Sequence, residues 1–217
     1  MADNRPKYGL RWFQGNPYPM PVPIEVHIAT GTNFAVTAVN YALGPGDPVI
    51  ALAAGGVTIC LGAETGAQTG FGVVVGIGNT GKVFNSTKGV MEPSSTVPSG
   101  VAYGTNLERQ TKVLVVPLKP DQLWECDCDD ATTATTLAAY QALSHSNVDL
   151  TLAVSGVAGT RVNPRIDISS TNTTNTLTWR IVKVSPTMEN QDFSGNFVKL
   201  LITPNLTQWA PWATTGL

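Results

Sequence analysis

Short apolar segments that end at glycine or proline recur along most of this chain, and they limit the folds open to it. Residues 71–77 form one continuous apolar run, and residues 49–53 and 57–61 form two more on either side of Gly55 and Gly56. Runs of this length, rich in β-branched residues and separated by turn signals, are typical of strands in sandwiches and barrels. The sequence therefore predicts an all-β fold, a β-sandwich or Greek-key-like barrel of about ten to twelve short strands.

One segment has a different character. Residues 132–145 place Leu137, Tyr140 and Leu143 among alanines, which predicts at most one short helix. Because helical segments do not alternate with the strands, a parallel βαβ architecture is excluded. Residues 85–106 contain few large apolar side chains, so we expect one long loop there.

The first 24 residues differ from the rest because prolines occupy positions 17, 19, 21 and 23. Alternating prolines remove backbone donors and fix φ, so residues 1–24 are predicted to form an extended, polyproline-like N-terminal arm. Such an arm is either a disordered or locally packed tail, or it lies on another surface. We expect a β-rich domain over residues 25–207 that stays folded when residues 1–24 are deleted. Residues 208–217 form a tryptophan-containing tail.

Bulky aromatic and cationic side chains of the arm and the tail are the candidate partner-binding residues. A tryptophan in a short tail is costly to leave in water, so the tail tryptophans either fold back on the domain or enter a protein interface. The arm side chains are expected to contact a partner protein or a neighbouring subunit. The full set is Arg5, Lys7, Tyr8, Arg11, Trp12, Phe13, Tyr18, Trp209 and Trp212.

The charge and the apolar pattern of the chain each exclude one class of partner. Only 13% of the 217 residues are charged, against a usual ~25%, and the net charge is −2. A chain without a basic run is poorly suited to neutralising a phosphate backbone, so no nucleic-acid partner is expected. The longest apolar run, residues 71–77, is too short to span a bilayer, and no signal-peptide pattern is present, so no membrane partner is expected either.

An alternating acidic segment could carry chemistry. On a strand, Glu125, Asp127 and Asp129 would share one face, opposite the tryptophan and the two cysteines that alternate with them. The carboxylates could hold a hard cation such as calcium, or they could form a solvated or interface-facing acidic edge. We favour the second interpretation, in which a cationic arm residue of a neighbouring subunit relieves the repulsion, and we predict no metal site.

Three further motifs predict structure rather than chemistry. Cys60, Cys126 and Cys128 fit neither zinc spacing nor a disulfide scaffold, so we expect buried free thiols. Residues 76–83 resemble a phosphate-binding loop, but a valine replaces the required hydroxyl and β-like residues follow, so we predict a glycine-rich hairpin turn. The two histidines lie near no recognisable nucleophile motif. The sequence predicts no catalytic residue, no cofactor and no enzyme activity.

Five segments, in order and spacing, resemble the capsid decoration, or cement, proteins of tailed bacteriophages. Each segment is a strand with an adjoining turn, and the N-terminal arm and the tryptophan tail have no counterpart in that pattern. The segments are GDPV at residues 46–49, GVVVG at 72–76, VLVVP followed by PDQLWEC within 113–126, RIDISS at 165–170 and FVKLLIT at 197–203.

The resemblance implies a non-enzymatic homo-oligomer, a trimer in preference to a dimer, that binds the outer surface of an assembled phage head between capsomers. Its partner would be the major capsid protein, and it would stabilise the shell against the pressure of packaged DNA. The implied location is the virion, after synthesis in the host cytoplasm. Two alternatives stay open: another virion component such as a tail or fibre protein, and a glycan-binding module with Trp12, Trp124, Trp209 and Trp212 on one face.

Overall fold

The structure of this chain, a computed structural model, describes residues 9–17, 19–28, 35–36, 39–40, 43–52, 55–60, 70–85, 88, 90–94, 111–129, 134–152, 163–173, 176–187, 192–193 and 197–209. These ranges hold fifteen strands and two helical segments, and none of their helices is long and apolar enough to cross a membrane. In chain order the elements are β1 (Arg11–Trp12), β2 (Ile24–His27), β3 (Ala35–Val36), β4 (Val39–Asn40), β5 (Pro48–Ala51), β6 (Val57–Ile59), β7 (Gly72–Ile77), α1 (Gly78–Gly81), β8 (Lys82–Asn85), β9 (Val90–Pro93), β10 (Lys112–Pro117), β11 (Trp124–Asp127), α2 (Leu137–Ala142), β12 (Asn147–Leu152), β13 (Pro164–Asn172), β14 (Trp179–Val184) and β15 (Lys199–Pro204).

The smaller of the two main sheets has five strands in the order β2-β10-β7-β5-β6, and all neighbouring strands are antiparallel. The sheet curls on itself, because Ile28, which follows β2, forms an isolated parallel bridge with Val57 of β6. This bridge brings the first and last strands together. The curled sheet encloses a hydrophobic cluster that includes Val49, Val74 and Val113.

The larger sheet has six antiparallel strands in the order β1-β11-β15-β14-β12-β13. It curls in the same way, because Cys128, which follows β11, forms a parallel bridge with Ile166 of β13. Asp129 N also donates a hydrogen bond to Ile166 O at 3.0 Å. The second cluster lies inside this curl and includes Trp179 and, from α2, Tyr140.

Strands β7 and β10 contribute to both hydrophobic clusters. Val73 packs in the larger cluster and Val74 in the smaller one, while Val116 and Val115 divide in the same way. Gly72 permits the close approach of the two strands, because a Cβ at this position would lie 2.1 Å from Val115 Cγ1. A strand buried on both faces has a continuous apolar sequence instead of an alternating one, which explains the run at residues 71–77.

The predicted all-β fold is confirmed, and eleven of the fifteen described strands have four or more residues. The predicted hairpin is formed by β5 and β6, with Gly55 and Gly56 at positive φ between them. The predicted helix is α2. Its N-terminus is capped by the Thr136 side chain, which accepts a hydrogen bond of 3.2 Å from Ala139 N.

Two local predictions are wrong. Residues 76–83 form no hairpin turn: they include the single helical turn α1, and β8 pairs with β9 instead of β7. The predicted loop at residues 85–106 contains β9, which pairs with β8 as a separate hairpin. Side chains stabilise this hairpin, since Glu92 accepts hydrogen bonds of 2.7 Å from both Asn85 Nδ2 and Lys88 Nζ.

Candidate protein-interaction site

Residues 9–16 of the arm lie on the β-rich domain of their own chain. Strand β1 is added to one edge of β11, with Arg11 opposite Glu125 and Trp12 opposite Trp124. Leu10, only 4% exposed, joins the larger hydrophobic cluster. Within this part of the arm only Arg11–Trp12 form a strand, and a turn follows at residues 14–15, so the predicted extended conformation is wrong here. The surface on which the segment lies belongs to the same molecule.

Backbone contacts on both sides of β1 hold it in place. Leu10 N donates a hydrogen bond of 2.9 Å to Gly46 O, and Gly9 packs so closely there that a Cβ would lie 2.6 Å from the same oxygen. Beyond β1, Asn16 Nδ2 donates to Leu123 O at 2.8 Å, and Leu123 N donates to Asn16 Oδ1 at 2.7 Å. Asn16 was not among the predicted residues, although an asparagine directly before a proline is a turn signal.

Glu125 is the main electrostatic contact between β1 and the domain. Its side chain is only 4% exposed, and its Oε1 accepts a hydrogen bond and ion pair from Arg11 Nη2. Ser185 Oγ donates to Oε2 at 2.6 Å, so both carboxylate oxygens have a partner. The cation expected from a neighbouring subunit is supplied here by the arm of the same chain.

Cations of the same molecule also lie near the other two carboxylates of the acidic segment, Asp127 and Asp129. Asp127 is 2% exposed and stands directly opposite Lys199, 1% exposed, across β11 and β15. Arg165, which is buried, has its guanidinium carbon 4.2 Å from the centre of the Phe197 ring. Burial lowers the pKa of Arg165, while the nearby negative charges of Asp127 and Asp129 act in the opposite direction.

The expectation of a solvated or interface-facing acidic edge is therefore wrong for Glu125 and Asp127. Both carboxylates are buried, because cations from three other strands lie on the same side of β11. A buried ion pair is costly to break on one side only, so the Arg11–Glu125 pair favours β1 as the segment that occupies the edge of β11. No group of three or more metal-ligating side chains occurs within the described ranges.

The opposite face of β11 is apolar, as the alternation predicted. Trp124, Cys126 and Cys128 all belong to the larger hydrophobic cluster. The expectation of buried free thiols is confirmed for these two cysteines and for Cys60. Burial raises the pKa of both Cys126 and Cys128, so the unreactive thiol form is favoured.

Residues 19–23 continue from the arm towards β2 with apolar side chains in solvent. Val22 is 84% exposed and Met20 is 43% exposed. Beside them lies an open groove of ≈ 450 Å³, whose other walls include Trp12 and Lys119. The groove is therefore lined by both apolar and polar residues, the polar ones including Asn16 and Asp121.

Trp209 folds back on the domain, which is one of the two alternatives for the tail. Its Nε1 donates a hydrogen bond of 2.6 Å to Phe71 O, and the two rings have their centroids 5.1 Å apart. The indole remains 44% exposed. Trp124 is 1% exposed, so it is not available to the exposed aromatic face that the glycan-binding alternative would need.

The other predicted partner-binding residues divide into two groups. Phe13 is described: its N donates to Leu123 O at 3.1 Å, and its side chain borders a smaller cavity of ≈ 280 Å³ beside the Arg11–Glu125 pair. The remaining five lie outside the described residues, and their role in partner binding stays a prediction. They are Arg5, Lys7, Tyr8, Tyr18 and Trp212.

The segment that resembles a phosphate-binding loop is placed next to a carboxylate. A Cβ at Gly78 would lie 2.7 Å from Glu25 Oε1, and Glu25 Oε2 accepts an ion pair of 3.0 Å from Lys112. Helix α1 has only four residues, so it supplies no row of aligned amides for a phosphate. This geometry is unsuited to a phosphate ligand.

Comparison of the chain with protein-family models, with curated proteins and with solved structures finds no match.

Proposed function

We propose that this chain is a capsid cement protein of a tailed bacteriophage. In this proposal it is not an enzyme: it binds the major capsid protein on the outer surface of the assembled head, between capsomers. It stabilises the shell against the pressure of packaged DNA. The order of the strand-and-turn segments described above is the sequence support for this proposal.

The structural observation that carries the proposal is the exposed apolar segment at residues 19–23. Met20 and Val22 are exposed on a segment whose prolines hold it extended, so little conformational entropy remains to be lost on binding. Extended proline-rich segments are a recurrent means of docking against another protein. The groove beside the segment would admit side chains of the capsid surface.

The low charge of the chain suits such a partner. A chain with 13% charged residues and net charge −2 creates only a weak long-range electric field, so its binding does not depend on an oppositely charged capsid surface. Repeated over many equivalent positions, modest contacts stabilise an assembly by mass action and by avidity. A homo-oligomer, a trimer in preference to a dimer, would engage several capsomers at once.

Co-sedimentation tests this proposal directly. Purified protein is mixed with undecorated heads of the phage that encodes it, and the bound amount is measured on a quantitative gel. We expect saturable binding at a fixed ratio to the major capsid protein. Absence of binding by the wild-type protein would overturn the cement function and favour another virion component.

Two matched variants test the segment that carries the proposal. Because Met20 and Val22 are exposed, Met20→Asp/Val22→Asp is expected to fold normally and to lose at least about tenfold in affinity for heads, through desolvation of the new charges. Val90→Asp, at a valine of 50% exposure on β9, is the control and should bind as the wild type does. Equal binding by all three proteins would contradict the role of residues 19–23.

A further inference from the structure

The edge of β11 is shared by two different strands. Cys128, just beyond β11, is bridged to β13, whereas Trp124 and Glu125 pair with β1. We call the backbone and side chains of residues 123–125 the β1 seat. Without β1 this seat would be an open strand edge with a buried carboxylate that has lost its cation. The seat therefore requires a segment with an arginine and an adjacent aromatic residue.

We propose that the β1 seat is filled reciprocally between two copies of this chain, by exchange of residues 9–16. The contacts that hold β1 to its seat are the Arg11–Glu125 pair, the Trp12–Trp124 ring contact and the reciprocal hydrogen bonds between Asn16 and the seat. A second copy supplies the same groups in the same order. Exchange of an identical element conserves every one of these contacts, which makes it a low-cost route to association.

The exchanged segment is compact enough to move as a unit. Asn16 N and Asn16 Nδ2 both donate to Phe13 O, at 3.1 and 2.7 Å, so the turn after β1 is closed by its own hydrogen bonds. Leu10 and Trp12 carry the apolar surface that enters the domain. The unit thus contains its own turn, and its docking groups divide between the two faces of β11, with Arg11 on the acidic face and Trp12 on the apolar face.

The linker between the exchanged unit and β2 permits the exchange. Among the described residues 19–23 no hydrogen bond ties the linker to the domain, and the four prolines of residues 17–23 have no N–H to donate. Seven residues in a polyproline conformation span about 22 Å at roughly 3.1 Å each. A stiff, extended linker of this length favours reaching outward to a neighbouring copy over folding back sharply. Exchange of this kind is independent of capsid binding, and it favours a dimer over the trimer that the resemblance to cement proteins implies.

Charge-reversal variants distinguish exchange between copies from closure, in which β1 docks on the seat of its own copy. Arg11→Glu places two acids at the seat, and Glu125→Arg places two cations there, so each variant alone repels its own β1. In a mixture of the two, reciprocal exchange places the β1 of each copy on the seat of the other and restores an opposite-charge pair at both seats. Closure within a copy restores neither pair.

The measurement is native mass spectrometry of the two variants refolded together, with one of them isotopically labelled. We expect mixed pairs to exceed like pairs by at least about tenfold, because like charges at the seat are unfavourable. The double variant Arg11→Glu/Glu125→Arg is the matched control and should regain wild-type stability. Separate species in the mixture, with a double variant that folds, would overturn the proposal.

A second variant keeps the test decisive if charge reversal prevents folding. Deleting Met20 and Pro21 leaves the β1 seat untouched but shortens the linker, which makes closure within one copy harder than exchange. We expect the dimeric fraction of this variant to be at least twice that of the wild type at equal concentration. An unchanged or smaller dimeric fraction would contradict exchange.

Discussion

Trp12 and Trp124 stand opposite one another across β1 and β11, with their ring centroids 5.3 Å apart and their planes at 88°. This edge-to-face contact joins the N-terminal arm to the interior of the larger sheet, because Trp124 is 1% exposed and lies in the hydrophobic cluster. The arm is therefore part of the folded domain as far as Asn16.

Trp12→Ala should lower the free energy of unfolding by about 2 kcal/mol. Truncation of a fully buried tryptophan costs about 3–5 kcal/mol, and Trp12 is only partly buried. Trp12→Phe, which retains an aromatic edge against Trp124, is the matched control and should lose less than half as much. Urea unfolding followed by tryptophan fluorescence measures both values, and an Ala variant as stable as the wild type would contradict the packing role of β1.

Deletion of residues 1–16 should strongly destabilise the protein, in contrast to the expectation from sequence that the domain folds without its arm. The deletion removes Leu10 from the cluster and leaves Glu125 buried without Arg11. A deletion of residues 1–8 retains the described contacts between residues 9–16 and the domain, and it is the control. Comparison of their thermal midpoints tests this, and equal midpoints would show that β1 contributes nothing to stability.

The stability of the domain should depend on the protonation of Asp149. Burial raises the pKa of Asp149 above its ordinary value of 3.8, an effect that Asp167 adds to and the hydrogen bond from Thr178 N opposes. The native state then binds the proton more tightly than the unfolded state, so stability falls as pH rises from the ordinary pKa through the raised one. Above both pKa values the stabilisation from the Asp149 proton is fully lost, and this group no longer makes the free energy of unfolding depend on pH.

Asp149→Asn tests this pH dependence, because the amide is uncharged and its Oδ1 can still accept from Thr178 N. The difference in unfolding free energy between variant and wild type should shift in favour of the variant as pH rises above about 4. Urea unfolding at a series of pH values gives both curves. Parallel curves over the whole range would show that Asp149 titrates equally in the two states.

Trp209→Phe should cost about 1 kcal/mol, the typical net value of one hydrogen bond, because the ring contact with Phe71 is kept and the indole N–H donor is lost. Trp209→Ala removes both interactions and should cost about twice as much. Chemical unfolding of the two variants separates the contributions. Equal losses would indicate that the hydrogen bond to Phe71 O contributes nothing.

Local pattern was sufficient to predict most strands of the two main sheets, with β1 as the exception. The continuous apolar run of β7, the turn glycines of the β5–β6 hairpin and the alternation along β11 are each set by neighbours in sequence. The placement of the arm was less predictable, because four prolines define an extended conformation without defining the surface beneath it.

Burial of the acidic face of β11 could not be predicted from its own residues. The cations that accompany Glu125 and Asp127 come from β1, β13 and β15, which are far apart in sequence and meet only when the sheet curls. In the same way, the loop predicted at residues 85–106 lacked an apolar pattern because the β8–β9 hairpin is separate from both main sheets. Tertiary contacts decided these features.

Because Val73 and Val74 belong to different clusters, the two main sheets should unfold together. Neither curled sheet can melt while the other stays intact, because loss of β7 opens both interiors to water at once. Heat, denaturant or mechanical load should therefore meet a single cooperative barrier in place of two weaker ones.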